Sequence, residues 1–185
     1  MKLALLTAVL ALPAVVHADP EPARSYVSAT AGLATPVGEV GLEYTYLFTQ
    51  HLELSGGVGL ANMLRTRNEN GDSTSINPQL AIMPRLRHPM GNAAFVIGAG
   101  LSGGTYTVQS SAFSSDDYEA ITRALWLNGE VGFEWFPGGG MAVGVYGGYG
   151  TVIAHGTVHN SRNEELMSLR DDTLPYFGVR VGHVL

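Results

Sequence analysis

The chain is 185 residues long, 45% hydrophobic, with 24 glycines, no cysteine and a formal charge of −6. The absence of cysteine excludes a disulfide framework, and an acidic chain with no basic stripe argues against nucleic acid as a partner. Its only lysine is Lys2, which leaves little of the polar material that normally covers a water-facing surface.

The chain opens with Met1-Lys2, an apolar run from Leu3 to Val16, and Val16-His17-Ala18 ahead of Asp19-Pro20. The run is shorter than the ~20 residues of a spanning helix, and the small-x-small ending matches a signal-peptidase site. Residues 1–18 therefore read as an export signal cleaved after Ala18, residues 19–24 as a short disordered lead-in, and residues 25–185 as one domain. Export without cysteine suits a bacterial envelope.

From Ser25 the side chains alternate, which is the period of a strand with two unlike faces. The first strand sets Val27, Ala29, Ala31 and Leu33 against Tyr26, Ser28, Thr30 and Gly32, and Thr35-Pro36-Val37-Gly38 reads as a turn. The second, Glu39 to Phe48, sets Val40, Leu42, Tyr44, Tyr46 and Phe48 against Glu39, Gly41, Glu43 and Thr45. After Thr49-Gln50-His51 the third sets Leu52, Leu54, Val58 and Leu60 against Glu53, Ser55, Gly57 and Gly59. A polar segment, Arg65 to Ser75, interrupts the pattern. A fourth strand from about Ile76 to Arg87 carries Arg85 and Arg87 opposite Leu80, Ile82 and Leu86, and Pro89-Met90-Gly91-Asn92 turns the chain.

The fifth strand places Phe95, Ile97, Ala99 and Leu101 opposite Val96, Gly98, Gly100 and Ser102, and Gln109 to Glu119 reads as a second long loop. A long hairpin, Thr122 to Val152, supplies strands six and seven around Pro137-Gly138-Gly139-Gly140. Here Leu125, Leu127, Val131, Phe133 and Trp135 oppose Asn128, Glu130 and Glu134. His155 to Asp172 is a third long loop, and the eighth strand, Leu174 to Leu185, sets Phe177, Val179 and Val181 against Tyr176, Gly178 and Arg180.

Eight strands with short turns at one end and long polar loops at the other predict an all-β fold, an eight-stranded antiparallel up-and-down transmembrane β-barrel of the outer-membrane kind. Both termini fall on the short-turn, periplasmic side. A soluble periplasmic barrel holding an apolar ligand shares the alternation. The glycine-rich polar face suits a narrow lumen better than a wet exterior, and Phe48, Phe95, Phe133 and Trp135 sit beside short turns as an interfacial aromatic girdle.

Charges sealed in such a lumen must pair, since an isolated buried ion is costly. An internal ion-pair network is expected from Glu43, Glu53, Glu130, Glu134, Arg85, Arg87 and Arg180. Strand height predicts Glu134 and Glu53 near Arg85 or Arg87, and Glu43 and Glu130 near Arg180. Pro78 and Pro175 fit rim positions, whereas Pro84 inside the fourth strand calls for a bulge or a local break in pairing.

On this pattern the mature chain resembles the small eight-stranded outer-membrane barrels, the family of the outer-membrane protein A transmembrane domain and the opacity-type and X-type proteins. Phe177, Val179, Val181, His183 and Leu185 alternate to a terminal hydrophobic residue, similar to the signal read by the barrel-assembly machinery in that family, although phenylalanine is the usual last residue there. The resemblance implies outer-membrane lipid and lipopolysaccharide as surroundings, with any specific role carried by the three long loops. His159-Asn160-Ser161-Arg162 looks faintly like the H-x-S-N motif of the lipid A deacylases, which makes an esterase with His159 as base and Ser161 as nucleophile the alternative. No cofactor is called for and no metal: His155 and His159 lack the helix that i,i+4 ligation needs, and Asp116, Asp117 and Glu119 read as a solvated loop.

Overall fold

The computed structural model describes residues 25–61, 77–110, 118–159, 165–168 and 173–185. The expected export signal, the lead-in and the loop Arg65 to Ser75 lie outside these residues. Ten strands are present among them: β1 (Ser25–Leu33), β2 (Val40–Thr49), β3 (Leu52–Ala61), β4 (Asn77–Met90), β5 (Ala93–Ser110), β6 (Tyr118–Gly138), β7 (Met141–His155), β8 (Thr157–His159), β9 (Glu165–Ser168) and β10 (Thr173–Val184).

Eight of these strands close into a barrel in the order β1-β10-β7-β6-β5-β4-β3-β2, and β8 and β9 form a separate ribbon. Every neighbouring pair is antiparallel, and the first strand closes on the last from Tyr26↔Val184 to Leu33↔Phe177. Closure removes the edges, so each long strand finds backbone partners on both sides. That is the condition for a sheet in hydrocarbon, where an unmade backbone hydrogen bond costs several kcal/mol.

Short turns join β2 to β3, β4 to β5 and β6 to β7, and both barrel termini lie at that end. Gly91 (φ 66°), Gly139 (φ 65°) and Gly140 (φ 77°) occupy the left-handed region that these tight reversals demand.

The strand parity sets the two faces. Leu42, Val58, Phe133 and Val145 are 58%, 53%, 42% and 45% exposed on the outside, while Glu43, Glu130 and Arg180 are buried in the centre. A soluble barrel holding an apolar ligand needs the reverse arrangement, with the greasy side chains enclosed.

Two expectations are corrected. First, Gln109 and Glu119 are not loop residues: they pair with each other as β5 and β6 continue to Ser110↔Tyr118. Second, the segment His155 to Asp172 contains paired backbone, with Thr157↔Ser168, Val158↔Met167 and His159↔Glu165. In both places polar side chains hid the strand, because hydrophobic alternation reports burial and not backbone pairing.

Thr35-Pro36-Val37-Gly38 is a turn, as expected, and it turns inward. All four residues are buried, and the loop folds back into the lumen as a plug. The Gly38 amide donates to the Thr35 carbonyl (2.8 Å), and the Thr35 hydroxyl donates to the Gly38 carbonyl. Gly57 and Gly59 form part of the socket, since a Cβ on either would run into Val37.

Pro84 breaks pairing locally without a bulge. Against β5 the pairs run Ile82↔Leu101 and then Arg85↔Gly98, with Met83 and Pro84 left out and the register kept. Against β3 the ladder is uninterrupted through Leu54↔Pro84. Proline has no N–H to give, so one side of the strand loses its bond while the other holds the register.

Candidate functional site

The lumen has three levels. At the short-turn end and centre lie the seven expected charges, above them the plug, and above the plug a cavity open towards the loop end.

Arg85 is the hub of the charged level. Its Nε donates to Glu130 Oε1 (2.8 Å), and its Nη1 and Nη2 donate to the two oxygens of Glu43 (3.1 and 3.3 Å). Glu53 approaches Arg85 Nη1 at 3.6 Å. Arg180 reaches the same cluster from the opposite wall, with Nη2 donating to Glu130 Oε1 (2.9 Å) and Nη1 at 3.2 Å from Glu43 and 3.5 Å from Glu134. Arg87 completes it through Nε, 3.5 Å from Glu134 and 3.9 Å from Glu53.

The structure thus brings all seven residues together, with a wider set of contacts than strand height suggests. Glu43 and Glu130 meet Arg85 as well as Arg180, because an eight-stranded lumen is narrow enough for opposite walls to touch. Three residues outside the expected set join them. Tyr26 donates its hydroxyl to Glu134 (2.6 Å), Tyr146 lies 4.2 Å under the Arg180 guanidinium, and Phe136 lies 5.0 Å from that of Arg87. Their shared parity with the charged residues was the signal available in the sequence.

The members are not held equally. Glu130 is clamped between two guanidiniums, whereas neither oxygen of Glu53 has a hydrogen-bond partner among the described residues although the residue is fully buried. Four carboxylates share three guanidiniums, and Glu53 is the one left with distant contacts.

Above the plug, a cavity of about 320 Å³ is walled by Gln79, Ser102, Trp126, Asn128 and Val152, with Glu39 at its side. Trp126 points inward, on the parity of Asn128 and Glu130, and forms an apolar cluster with Ala124 and Val152. A register shift between Leu125 and Trp126 against β7 lies beside it.

On the outside, Phe48, Phe95, Phe133 and Trp135 are 56%, 46%, 42% and 46% exposed near the short-turn end. Phe95 and Phe133 are directly opposed across β5 and β6.

Of the esterase pair, the His159 backbone lies in β8, and Ser161 lies outside the described residues. Asp116 and Asp117 also lie outside them. Among the described residues there is no group of three or more histidine, aspartate or glutamate side chains arranged to hold a metal.

By sequence, the chain matches no family model and no curated protein. By structure it is similar to the N-terminal β-barrel domain of Pseudomonas aeruginosa OprF, with a TM-score of 0.51 at 10% identity over 86% of this chain and 96% of that one. Ail, the attachment invasion locus protein of Yersinia pestis, aligns with a TM-score of 0.49 at 14% identity, over 89% of this chain and 100% of that one. At 10% identity the likeness to the OprF domain speaks for the fold alone, and it agrees with the closed eight-stranded order. The chain therefore has the fold of the small eight-stranded outer-membrane β-barrels.

Proposed function

We propose that the chain is an integral outer-membrane protein whose lumen is sealed by side chains and whose specific role is surface interaction through its loop end. The observation that carries this reading is the inverted burial: apolar side chains ring the exterior while the Arg85 network is enclosed. Such an exterior suits lipid tails, and the aromatic side chains at the short-turn end suit one lipid–water boundary.

The lumen is no route for solutes. Arg85, Glu43 and Glu130 fill its centre, and Val37 closes it from the loop end. In this reading residues 1–18 direct export, the last strand is recognised by the barrel-assembly machinery, and lipopolysaccharide surrounds the loop end.

Cell fractionation together with gel mobility before and after boiling tests the proposal. The protein is expected in the outer-membrane fraction, and unheated samples should migrate as a compact species. Release into an osmotic-shock supernatant without detergent would overturn it. Mass spectrometry of lipid A from cells with and without the protein should show the same acyl pattern. A missing acyl chain that returns with Ser161→Ala would put the esterase in its place.

A further inference from the structure

The cavity above the plug differs in chemistry from the level below it. Beneath Val37 the lumen is filled by seven charges, whereas the cavity walls combine apolar side chains (Ala34, Pro36, Ala61, Val152 and Leu174) and one indole with the amides of Gln79 and Asn128 and the hydroxyls of Thr35 and Ser102, and Glu39 is the single charged residue among them. Those polar groups are fixed by their own walls. Asn128 Nδ2 donates to Ser102 Oγ (2.9 Å), and Gln79 Nε2 donates to the Thr105 carbonyl (3.2 Å).

Glycines make the room. A Cβ on Gly150 would stand 2.6 Å from Asn128 Oδ1 and 3.4 Å from the Trp126 ring, and one on Gly104 would stand 2.7 Å from Gln79 Oε1. The amide oxygens and the indole therefore rest against bare backbone, and the volume in front of them stays open.

We propose that this cavity binds a neutral saccharide unit. A sugar ring presents hydroxyls that both donate and accept, which matches carboxamides and a serine hydroxyl. It also presents a C–H face, which matches an indole. A cavity of about 320 Å³ lies at the lower end of ordinary ligand sites, large enough for one ring and too small for a chain. An anionic ligand would meet no cationic side chain among the described walls. A wholly apolar ligand would offer no hydrogen-bond partner to the Asn128 and Ser102 side chains in the wall.

The inference rests on the loop end facing outward, as proposed above, and its test can fail separately from that reading. The chain has two tryptophans, so Trp135→Phe leaves Trp126 as the only emitter. This variant, folded in detergent, is titrated with glucose, galactose and N-acetylglucosamine, and in parallel with maltotriose, lactose and chitotriose, which end in the same units. At least one sugar should change the emission saturably in the millimolar range expected of so small a ligand. Glucuronate and choline should be weaker. Equal or tighter binding of the longer sugar assigns the site to the end of a surface glycan, and its loss assigns it to a free sugar.

Asn128→Leu should weaken binding by roughly tenfold, and the milder Ser102→Ala should weaken it in the same direction should Asn128→Leu not fold. Absence of saturation with every sugar, or unchanged affinity in whichever of these variants retains the compact gel mobility, would overturn the proposal. A missing mobility shift in the parent protein would instead count against the membrane-barrel reading itself.

Discussion

Replacing Arg85 by methionine keeps the unbranched stem of the side chain and removes the guanidinium with its charge and hydrogen bonds, so it tests the hub of the lumen network. Arg85 has a carboxylate oxygen within 2.8 Å from Glu130, 3.1 Å from Glu43 and 3.6 Å from Glu53. At an effective dielectric of about 20, each such contact is worth roughly 5 kcal/mol before desolvation. Desolvating the guanidinium consumes much of that gain, but the variant leaves three buried carboxylates facing one another. Breaking a buried pair from one side typically costs about 3–5 kcal/mol, and that is the loss expected here.

Urea unfolding of the protein refolded in lipid vesicles, followed by tryptophan emission, measures it. With a slope of about 1–3 kcal/mol per molar, the midpoint should fall by one molar or more. Glu53→Gln provides the contrast. Glu53 has no hydrogen bond and only the contacts at 3.6 and 3.9 Å, in a lumen with one carboxylate too many. Its removal should change stability by less than about 1 kcal/mol, because little attraction is lost and a desolvation penalty is relieved. A loss below about 1 kcal/mol for Arg85→Met, or a larger loss for Glu53→Gln than for Arg85→Met, would refute the view of Arg85 as the hub.

Val58→Arg places a charge on the outer face opposite Leu42, well inside the barrel wall. It should cost about 2–4 kcal/mol in vesicles if that face meets lipid, and a change near zero would signal a water-facing surface. Gly57→Val should unseat Val37 from its socket and cost about 1–3 kcal/mol through overpacking; adding Val37→Ala should recover part of the loss in the same unfolding assay. Tyr26→Phe removes the 2.6 Å hydrogen bond to Glu134 and should cost about 1–3 kcal/mol, as an acceptor left unsatisfied inside the lumen does. A Tyr26→Phe protein as stable as the parent would mean that another donor takes over.

The strand pattern was legible wherever one face was apolar and the other was not. Glu39 to Phe48 and Leu52 to Ala61 could be placed within a residue because each side chain's parity announces its side of the wall. The same rule failed for Gln109 and Glu119, and for Thr157 to His159. There the backbone pairs where the order of apolar and polar residues along the chain does not alternate clearly. Trp126 was the instructive miss. The strand pattern did not single it out, although its parity with Asn128 and Glu130 assigns it to the lumen.

Sequence alone determined the number of barrel strands, the identity of the two faces and the need for charge compensation inside, because all three follow from alternation and from the cost of burying an ion. Only the tertiary structure decided which arginine sits at the hub, that Val37 closes the lumen, and that an open cavity lies above it. Those outcomes depend on which side chains meet across a closed sheet, and contacts between opposite walls leave no mark on the order of residues along any one strand.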